Sequence, residues 1–160
     1  NIAAAIAIAN YFKVDDNSIK EAIETYIPSN NRSQVIQTAA HKIIMDAYNA
    51  NPTSMWAALL NFEKLNDKIK VAILGDMFEL GREAEKEHQN IVDLASTMLL
   101  DKIILIGKNF YNTKIVSPKV QVFESFDDFK NNFNHSQIEF ATILIKGSRG
   151  MALERVLELL

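Results

Sequence analysis

The sequence has no cysteine and few residues that break regular structure, since its 160 residues include only five glycines and three prolines. The absence of cysteine excludes disulfide bonds, a thiolate nucleophile and a cysteine-based zinc site, and it fits a reducing compartment. Charge of neither sign dominates, because 17 lysines and arginines stand against 20 aspartates and glutamates, for a net charge of −3. With 48% hydrophobic residues, these values exclude a disordered, collagen-like or nucleic-acid-coating chain and indicate an ordinary globular fold.

Long apolar runs are also missing. The alanine-rich start, residues 1–9, is too short to span a membrane and lacks the basic residues that begin a signal peptide. Because the first residue is Asn1 rather than methionine, the sequence is expected to begin inside a helix of a longer protein.

Several motifs of catalysis and metal binding are absent from the sequence. It contains no Gly-x-x-x-x-Gly-Lys-[Ser/Thr] phosphate loop, no Gly-x-Gly-x-x-Gly fingerprint after a strand and no Gly-x-Ser-x-Gly elbow. His88 has no second histidine one helical turn away, so a zinc site is not expected. His88 is interpreted equally well as a helix-surface residue or as a residue that holds a loop.

Hydrophobic periodicity and capping residues predict helices and strands in alternation after a helical start. A first helix is expected to end near Tyr11 or Phe12, and a capping box from Ser18 to Glu21 is expected to begin a second helix that Pro28 stops. Further predicted elements are a hairpin of 35–38 and 42–46, helices over 52–64, 83–100, 126–133 and 151–160, and strands over 71–74, 103–106, 120–123 and 142–145. This alternation predicts an α/β fold with a mostly parallel sheet and helices on both faces.

Short polar clusters follow four of the predicted strands, at 46–51, 75–77, 107–109 and 146–149. Because open parallel sheets bind ligands outside the carboxyl ends of their strands, we expect the four clusters to line one edge of the sheet. Glycines come directly after three of these strands, where tight turns or close approach of the backbone require them. Glycine and aspartate in such turns are also common in α/β domains that bind nothing there.

The first cluster contains four hydrogen-bonding side chains within six residues: Asp46, Tyr48, Asn49 and Asn51. It leads into a predicted helix N-terminus, which carries a partial positive charge, and this favours a loop that contacts a ligand. Asn51 is also explained as a helix N-cap, with Pro52 as the first helical residue. Arg32 lies in the polar stretch 29–33, a predicted linker, where it either grips a phosphate or carboxylate or remains a solvated arginine.

Four segments of the chain, taken in order, resemble the C-terminal part of the Mur ligases across essentially the whole sequence. They are Asn-Asn-Arg-Ser-Gln at 30–34, Asp-Ala-Tyr-Asn-Ala-Asn-Pro-Thr-Ser-Met at 46–55, Ile-Leu-Gly-Asp-Met-Phe-Glu-Leu-Gly at 73–81 with Glu87 and His88, and Lys-Gly-Ser-Arg at 146–149. Sister ligases that add single amino acids typically have Asp-Tyr-Ala-His-x-Pro at the 46–52 position, and folylpolyglutamate synthases have Asp-Gly-Ala-His-Asn-Pro. Asn49 in place of that histidine favours the branch that adds a dipeptide.

The resemblance implies an ATP-dependent amide ligase of three domains that acts in peptidoglycan synthesis in the cytoplasm. Its central domain would carry the phosphate loop and most of the contacts to Mg²⁺. Residues 1–28 would be the last helices of that central domain, and residues 29–160 a Rossmann-like C-terminal domain that closes over the nucleotide. The implied reaction adds D-alanyl-D-alanine to UDP-N-acetylmuramoyl-tripeptide through an acyl phosphate, and the chain alone is expected to be inactive.

The resemblance also implies roles for individual residues. Arg32 corresponds to the arginine that reaches the ATP phosphates, and Asp46 to the carboxylate that binds the ribose hydroxyls. Tyr48, Asn49 and Asn51 would complete the nucleotide-facing loop, and Asn1 would match an asparagine near the nucleotide. The implied substrate-binding residues at the same edge are Asp76, Glu79, Lys146, Gly147 and Ser148.

Two other interpretations remain open at this point. Another Mur-like ligase, either one that adds single amino acids or one of the folylpolyglutamate type, is disfavoured by the sequence of 46–52. A non-catalytic α/β module that binds a nucleotide or a protein is supported only by the lack of a recognisable catalytic nucleophile or base. Neither nucleic acid nor a membrane is expected as a partner.

Overall fold

The computed structural model describes residues 2–28 and 30–160, without the side chain of His135. Asn1, predicted to lie near the nucleotide, falls outside the described residues. Six strands and six α-helices are described: α1 (Ile2–Tyr11), α2 (Asp16–Glu24), β1 (Gln34–Gln37), β2 (Lys42–Asp46), α3 (Pro52–Glu63), β3 (Lys70–Gly75), α4 (Ala84–Thr97), β4 (Lys102–Ile106), α5 (Lys108–Tyr111), β5 (Val120–Phe123), α6 (Phe126–Asn132) and β6 (Thr142–Lys146). Short 3₁₀ helices cover Gly81–Glu83, His135–Ile138, Arg149–Met151 and Leu153–Leu159.

The strands form one six-stranded sheet in the order β1-β2-β6-β3-β4-β5. Only β1 is antiparallel, as the outer strand of the predicted hairpin with β2, and the other neighbours pair in parallel. The last strand in the sequence, β6, inserts between β2 and β3. This confirms the predicted mostly parallel α/β fold and brings residues 46 and 146 side by side.

Helices cover both faces of the sheet, since the apolar side chains of the five parallel strands are divided between two separate cores. On β3, Ala72 and Leu74 pack with residues of α3 and α4, whereas Val71 and Ile73 pack on the opposite face with α6 and the C-terminal segment. All six residues of β3 are buried. A strand buried on both faces has the continuous apolar sequence that identified it.

The second helix does not begin as the sequence predicts. Asp15, not Ser18, is the N-cap of α2: its carboxylate accepts hydrogen bonds from the Ser18 amide at 3.0 Å and from the Ser18 hydroxyl at 2.6 Å. These hydrogen bonds, above all the one from the Ser18 hydroxyl, hold the pKa of Asp15 below its ordinary value. Ser and Asp are both good N-caps. With Asp15 as the cap, Ser18 still contributes two hydrogen bonds to the helix start, so the helix begins three residues before the predicted position. The helix also ends at Glu24, before the predicted stop at Pro28.

The C-terminal segment is likewise different from the predicted α-helix over 151–160. It forms two 3₁₀ helices separated by Ala152, whose backbone is left-handed at φ 48°. Leu153 and Val156 are fully buried in the core shared with α6. The apolar periodicity of this segment predicted a regular α-helix. The segment forms 3₁₀ helices instead because it packs tightly against the sheet and α6. The predicted helix over 83–100 is also shorter, since Met98 is already extended.

The described helices include none long and apolar enough to cross a membrane.

Candidate functional site at the carboxyl edge of the sheet

The carboxyl ends of the four central strands meet at one edge, as the sequence predicts. Asp46 on β2 is the register partner of Lys146 on β6, and Gly75 on β3 is the partner of Ile106 on β4. The loops that follow these strands carry every polar cluster identified in the sequence. We call this surface the carboxyl edge.

A buried ion pair joins β2 to β6 at this edge. The Lys146 Nζ lies 2.6 Å from the Asp46 Oδ2 and also donates to the Asn49 carbonyl oxygen at 3.2 Å. The Lys146 side chain is 2% exposed and that of Asp46 is 22% exposed. A buried ammonium is tolerated only when paired and hydrogen-bonded, so Lys146 fixes the Asp46 carboxylate and the start of the next loop.

The linker turn lies against the same carboxylate. The Ser33 amide donates to the Asp46 Oδ1 at 3.1 Å, and both Asn31 and Ser33 have left-handed backbones, at φ 57° and 50°. Between them, the exposed Arg32 places its guanidinium carbon 3.7 Å from the ring centroid of Tyr48. The structure therefore brings together Arg32, Asp46 and Tyr48, which the resemblance assigns to the nucleotide.

The loop from Asn49 to Asn51 leads into α3, which begins where the sequence predicts, with Asn51 as its N-cap. The Asn51 Oδ1 accepts from the Ser54 amide at 2.8 Å, and the Ser54 hydroxyl accepts from the Asn51 amide at 3.1 Å, which completes a capping box before Pro52. The Asn49 Oδ1 accepts from the Ala50 amide at 2.9 Å. The N-cap role of Asn51 is confirmed, and its contact with a nucleotide stays a prediction.

Asp76 is buried and holds the turn after β4. Its side chain is 4% exposed, and its carboxylate accepts from the amides of Asn109 and Phe110 at 2.9 and 3.1 Å and from the Asn109 side chain at 3.1 Å. Gly107 passes over this carboxylate with φ 134° and ψ 159°. A carboxylate that accepts three N–H bonds needs no ammonium partner, and these bonds orient the first turn of α5.

His88 holds the loop between β3 and α4, the second of its two interpretations. Its ring is fully buried, with Nδ1 2.6 Å from the Ala84 carbonyl oxygen and Nε2 2.9 Å from the Met77 amide nitrogen. These partners assign the proton to Nδ1 and leave Nε2 as an acceptor. The Asp76 Oδ1 lies 3.6 Å from Nε2, beyond hydrogen-bond distance, and Nε2 already accepts from the Met77 amide.

Ser148 joins the loop after β6 to the loop after β3. Its hydroxyl accepts from the Phe78 amide at 2.8 Å, and its own amide donates to the Asp76 carbonyl oxygen at 3.1 Å. Gly147 lies so close to β3 that a Cβ there would stand 3.1 Å from the Gly75 Cα. Glu79 is exposed at the tip of the 76–81 loop with a left-handed φ of 66°. Of the predicted substrate-binding residues, only Glu79 therefore presents its side chain to solvent.

A cleft of about 460 Å³ opens at this edge between the loops that follow β3, β4 and β5. Its polar lining includes two residues that the sequence does not single out, Glu124 and Arg155. The Arg155 guanidinium carbon lies 4.0 Å from the Phe126 ring centroid, and its Nη2 donates to the Met151 carbonyl oxygen at 3.2 Å. No local signal identifies Arg155, because the contact depends on how the C-terminal segment folds under α6.

Comparison with known proteins identifies the family. Residues 31–149 match the family described as "Mur ligase, glutamate ligase domain". The chain is 31% identical to the UDP-N-acetylmuramoyl-tripeptide--D-alanyl-D-alanine ligase of Borreliella burgdorferi, over 99% of the chain and 35% of that protein. The corresponding ligase of Escherichia coli is 30% identical, over 100% of the chain and 36% of its own length. The chain thus spans little more than a third of these relatives.

Solved structures agree with this assignment. A crystal structure of MurF from Acinetobacter baumannii superposes with a TM-score of 0.83 at 30% identity, covering 98% of the chain and 36% of that protein. The MurF ligase of Thermotoga maritima, described in complex with ADP, shares the fold with a TM-score of 0.74 at 22% identity, over 99% of the chain and 36% of that protein. On the family match and on these relatives, the chain belongs to the Mur ligase family.

Proposed function

We propose that this chain is the C-terminal domain, with its preceding helices, of an ATP-dependent ligase that adds D-alanyl-D-alanine to UDP-N-acetylmuramoyl-tripeptide. The observation that carries the proposal is that relatives named for this activity align over 99% to 100% of the chain at about 30% identity. The residues that carried the resemblance also lie together at the carboxyl edge, where α/β sheets bind their ligands. The proposed setting is peptidoglycan synthesis in the cytoplasm.

The nucleotide side of the edge suits an anion of the ATP type. Within residues 2–28 and 30–160, no carboxylate oxygen lies within 4.0 Å of the Arg32 guanidinium, so these residues leave its charge without an ion-pair partner. Arginine presents a planar fork of N–H donors that matches phosphate oxygens. We assign Arg32 to the phosphates and Asp46 to the ribose hydroxyls. The rest of the nucleotide-facing loop is then Tyr48, Asn49 and Asn51. Mg²⁺ is proposed to be held mainly by the family's central domain.

The amine substrate is proposed to enter beside the 76–81 loop. Three of the assigned residues are less than 5% exposed: Asp76, Lys146 and Ser148. In this conformation they therefore position the loops of the edge and do not contact a substrate that approaches from solvent. Gly147 allows the close approach of β6 and β3, and the exposed Glu79 is the side chain with an open path to an ammonium group. The adjoining cleft is lined by both a cation and an acid, Arg155 and Glu124, as a zwitterionic dipeptide requires.

The chemistry that this edge supports is acyl transfer by positioning and charge neutralisation. The substrate carboxylate takes the γ-phosphoryl group of ATP to give an acyl phosphate and ADP, and the dipeptide amine then displaces phosphate to form the amide. Arg32 would neutralise charge on the transferred group, and closure of this domain would bring the amine to the acyl carbon.

The helices of residues 2–28 are proposed to belong to the central domain. Neither α1 nor α2 contributes a buried residue, and Ile2, Ile8, Tyr11 and Phe12 are each at least 60% exposed. Apolar surface of this extent is typical of a segment that packs against another part of a protein.

The test is steady-state ligation by the full-length protein that contains this sequence. With UDP-N-acetylmuramoyl-tripeptide and ATP, we expect amide formation with D-alanyl-D-alanine and none with D-alanine, L-lysine or L-glutamate. Arg32→Ala should lower kcat by about 10²-fold or more, the usual cost of losing a donor to the transition state. Because Arg32 is exposed, the unfolding midpoint of the protein should change little. Preference for a single amino acid, or unaltered turnover in Arg32→Ala, would overturn the proposal.

A further inference from the structure

The turn that carries Arg32 is fixed at its base by residues far away in the sequence. The Ser33 amide donates to the Asp46 Oδ1, while the Asp46 Oδ2 accepts from the buried Lys146 ammonium. Both carboxylate oxygens are therefore engaged, one by the turn and one by an opposite charge. Left-handed backbone at non-glycine residues such as Ser33 is costly and persists where the surroundings determine it.

The same arrangement keeps Asp46 from neutralising Arg32. The Asp46 carboxylate binds the amide of the residue that follows Arg32, and its charge is paired with the Lys146 ammonium at 2.6 Å rather than with the Arg32 guanidinium. Arg32 thus precedes a residue that binds the Asp46 carboxylate, yet Arg32 itself makes no ion pair within the described residues.

Arg32 instead contacts Tyr48. The guanidinium carbon is 3.7 Å from the ring centroid, a cation–π distance well inside the usual limit of about 6 Å. A distance of 3.7 Å from the guanidinium carbon to the ring centroid leaves no room for an N–H group between them, so a face of the guanidinium meets the ring and the N–H donors point outward in the guanidinium plane. The stack therefore limits where the side chain can go without using the hydrogen bonds that a phosphate needs.

From this geometry we infer that Tyr48 is a positioning residue, which holds Arg32 with its N–H edge free for the nucleotide phosphates, and that the aromatic ring rather than the hydroxyl does this. The inference rests on the proposed function, because it assumes that Arg32 meets the phosphates. It differs from the direct nucleotide contact that the resemblance implies for Tyr48. An arginine already oriented loses less side-chain entropy when the anion binds.

A double-mutant cycle in the full-length ligase tests the inference. Tyr48→Leu should lower kcat by about three- to fivefold, the size of an exposed cation–π contact, whereas Tyr48→Phe should retain most of the wild-type turnover. In the Arg32→Ala background, Tyr48→Leu should cost nothing further, since the group it positions is gone. Trp56→Leu is the matched control and should leave turnover unchanged, because Trp56 is a similarly exposed aromatic residue, 51% against 43% for Tyr48, on α3 outside the site.

Three results would overturn the inference while leaving the proposed function in place. Tyr48→Phe could lose as much as Tyr48→Leu, which would assign the hydroxyl to the nucleotide. Tyr48→Leu could raise the KM for ATP equally with and without Arg32, which would make the ring a direct nucleotide contact. Wild-type turnover in Tyr48→Leu would show that the stack has no part in the reaction. Failure of the proposed function is seen elsewhere, as absent ligation by the wild type or full turnover in Arg32→Ala, and would remove the premise.

Discussion

At the scale of single residues, the carboxyl edge depends on a glycine that packs against a buried carboxylate. Gly107 has a backbone conformation, φ 134° and ψ 159°, that is essentially restricted to glycine. A Cβ at this position would stand 2.3 Å from the Asp76 Cγ. Asp76 cannot move away cheaply, because its oxygens hold the amides of Asn109 and Phe110.

Gly107→Ala should therefore destabilise the chain by about 3 kcal/mol or more, from backbone strain and from the displaced Asp76 network together. The measurement is denaturant unfolding of the chain followed by circular dichroism.

Gly81→Ala is the matched control for this substitution. Gly81 also has a positive φ, 55°, but a Cβ at that position would meet no atom within 4 Å. Its cost should be confined to the left-handed backbone, about 1 to 2 kcal/mol. Equal losses for the two variants would show that contact with Asp76 adds nothing.

At the scale of elements, α3 connects the stability of the fold to the proposed nucleotide side of the carboxyl edge. The helix begins at Pro52 and is capped by Asn51 through the bond from the Ser54 amide. The same N-terminus adds a partial positive charge to an edge where Arg32 has no ion-pair partner among the described residues. A single residue is thus assigned both a structural role, which the structure confirms, and a nucleotide contact, which it leaves as a prediction.

Two substitutions of Asn51 separate these roles. Asn51→Ala removes the cap and should lower the free energy of unfolding by about 1 kcal/mol, whereas Asn51→Asp keeps a good cap and should leave stability nearly unchanged. If Asn51 also faces the nucleotide, Asn51→Asp should raise the KM for ATP in the full-length ligase, because a carboxylate repels phosphate. Parallel denaturation and kinetic measurements decide this, and an unchanged KM in Asn51→Asp would restrict Asn51 to capping.

At the scale of the whole molecule, the chain has a complete core but only part of a proposed site. Two buried clusters fill the faces of the sheet, while the sequence contains no phosphate loop. Binding of ATP by this chain alone would depend on exposed residues of one edge, chiefly Arg32.

We therefore expect the isolated chain to fold but to hydrolyse no ATP and to bind nucleotide weakly. Calorimetric titration with ATP is the measurement, and Arg32→Ala should abolish any weak heat that the wild-type chain gives. Micromolar affinity in the isolated chain, or affinity that Arg32→Ala leaves intact, would mean that the nucleotide site is misplaced.

Local patterns in the sequence were sufficient for most of the secondary structure. The apolar run of β3, the hairpin of β1 and β2, and the start of α3 at Pro52 are confirmed because strand burial and helix capping act over a few residues. Local patterns failed where two near solutions compete, as at Asp15 and Ser18. They also failed where packing overrides periodicity, as in the C-terminal segment that forms 3₁₀ helices around Leu153 and Val156.

The sequence by itself thus determined the fold class, the edge at which the polar clusters collect and the resemblance to a ligase family. Only the tertiary structure decided which side chains meet there. Lys146 reaches Asp46 across 100 positions of sequence because β6 inserts between β2 and β3, and His88 meets the Met77 amide because α4 packs back over the loop before it. Ion pairs, stacked rings and buried histidines depend on distances between elements, which periodicity within one element does not contain.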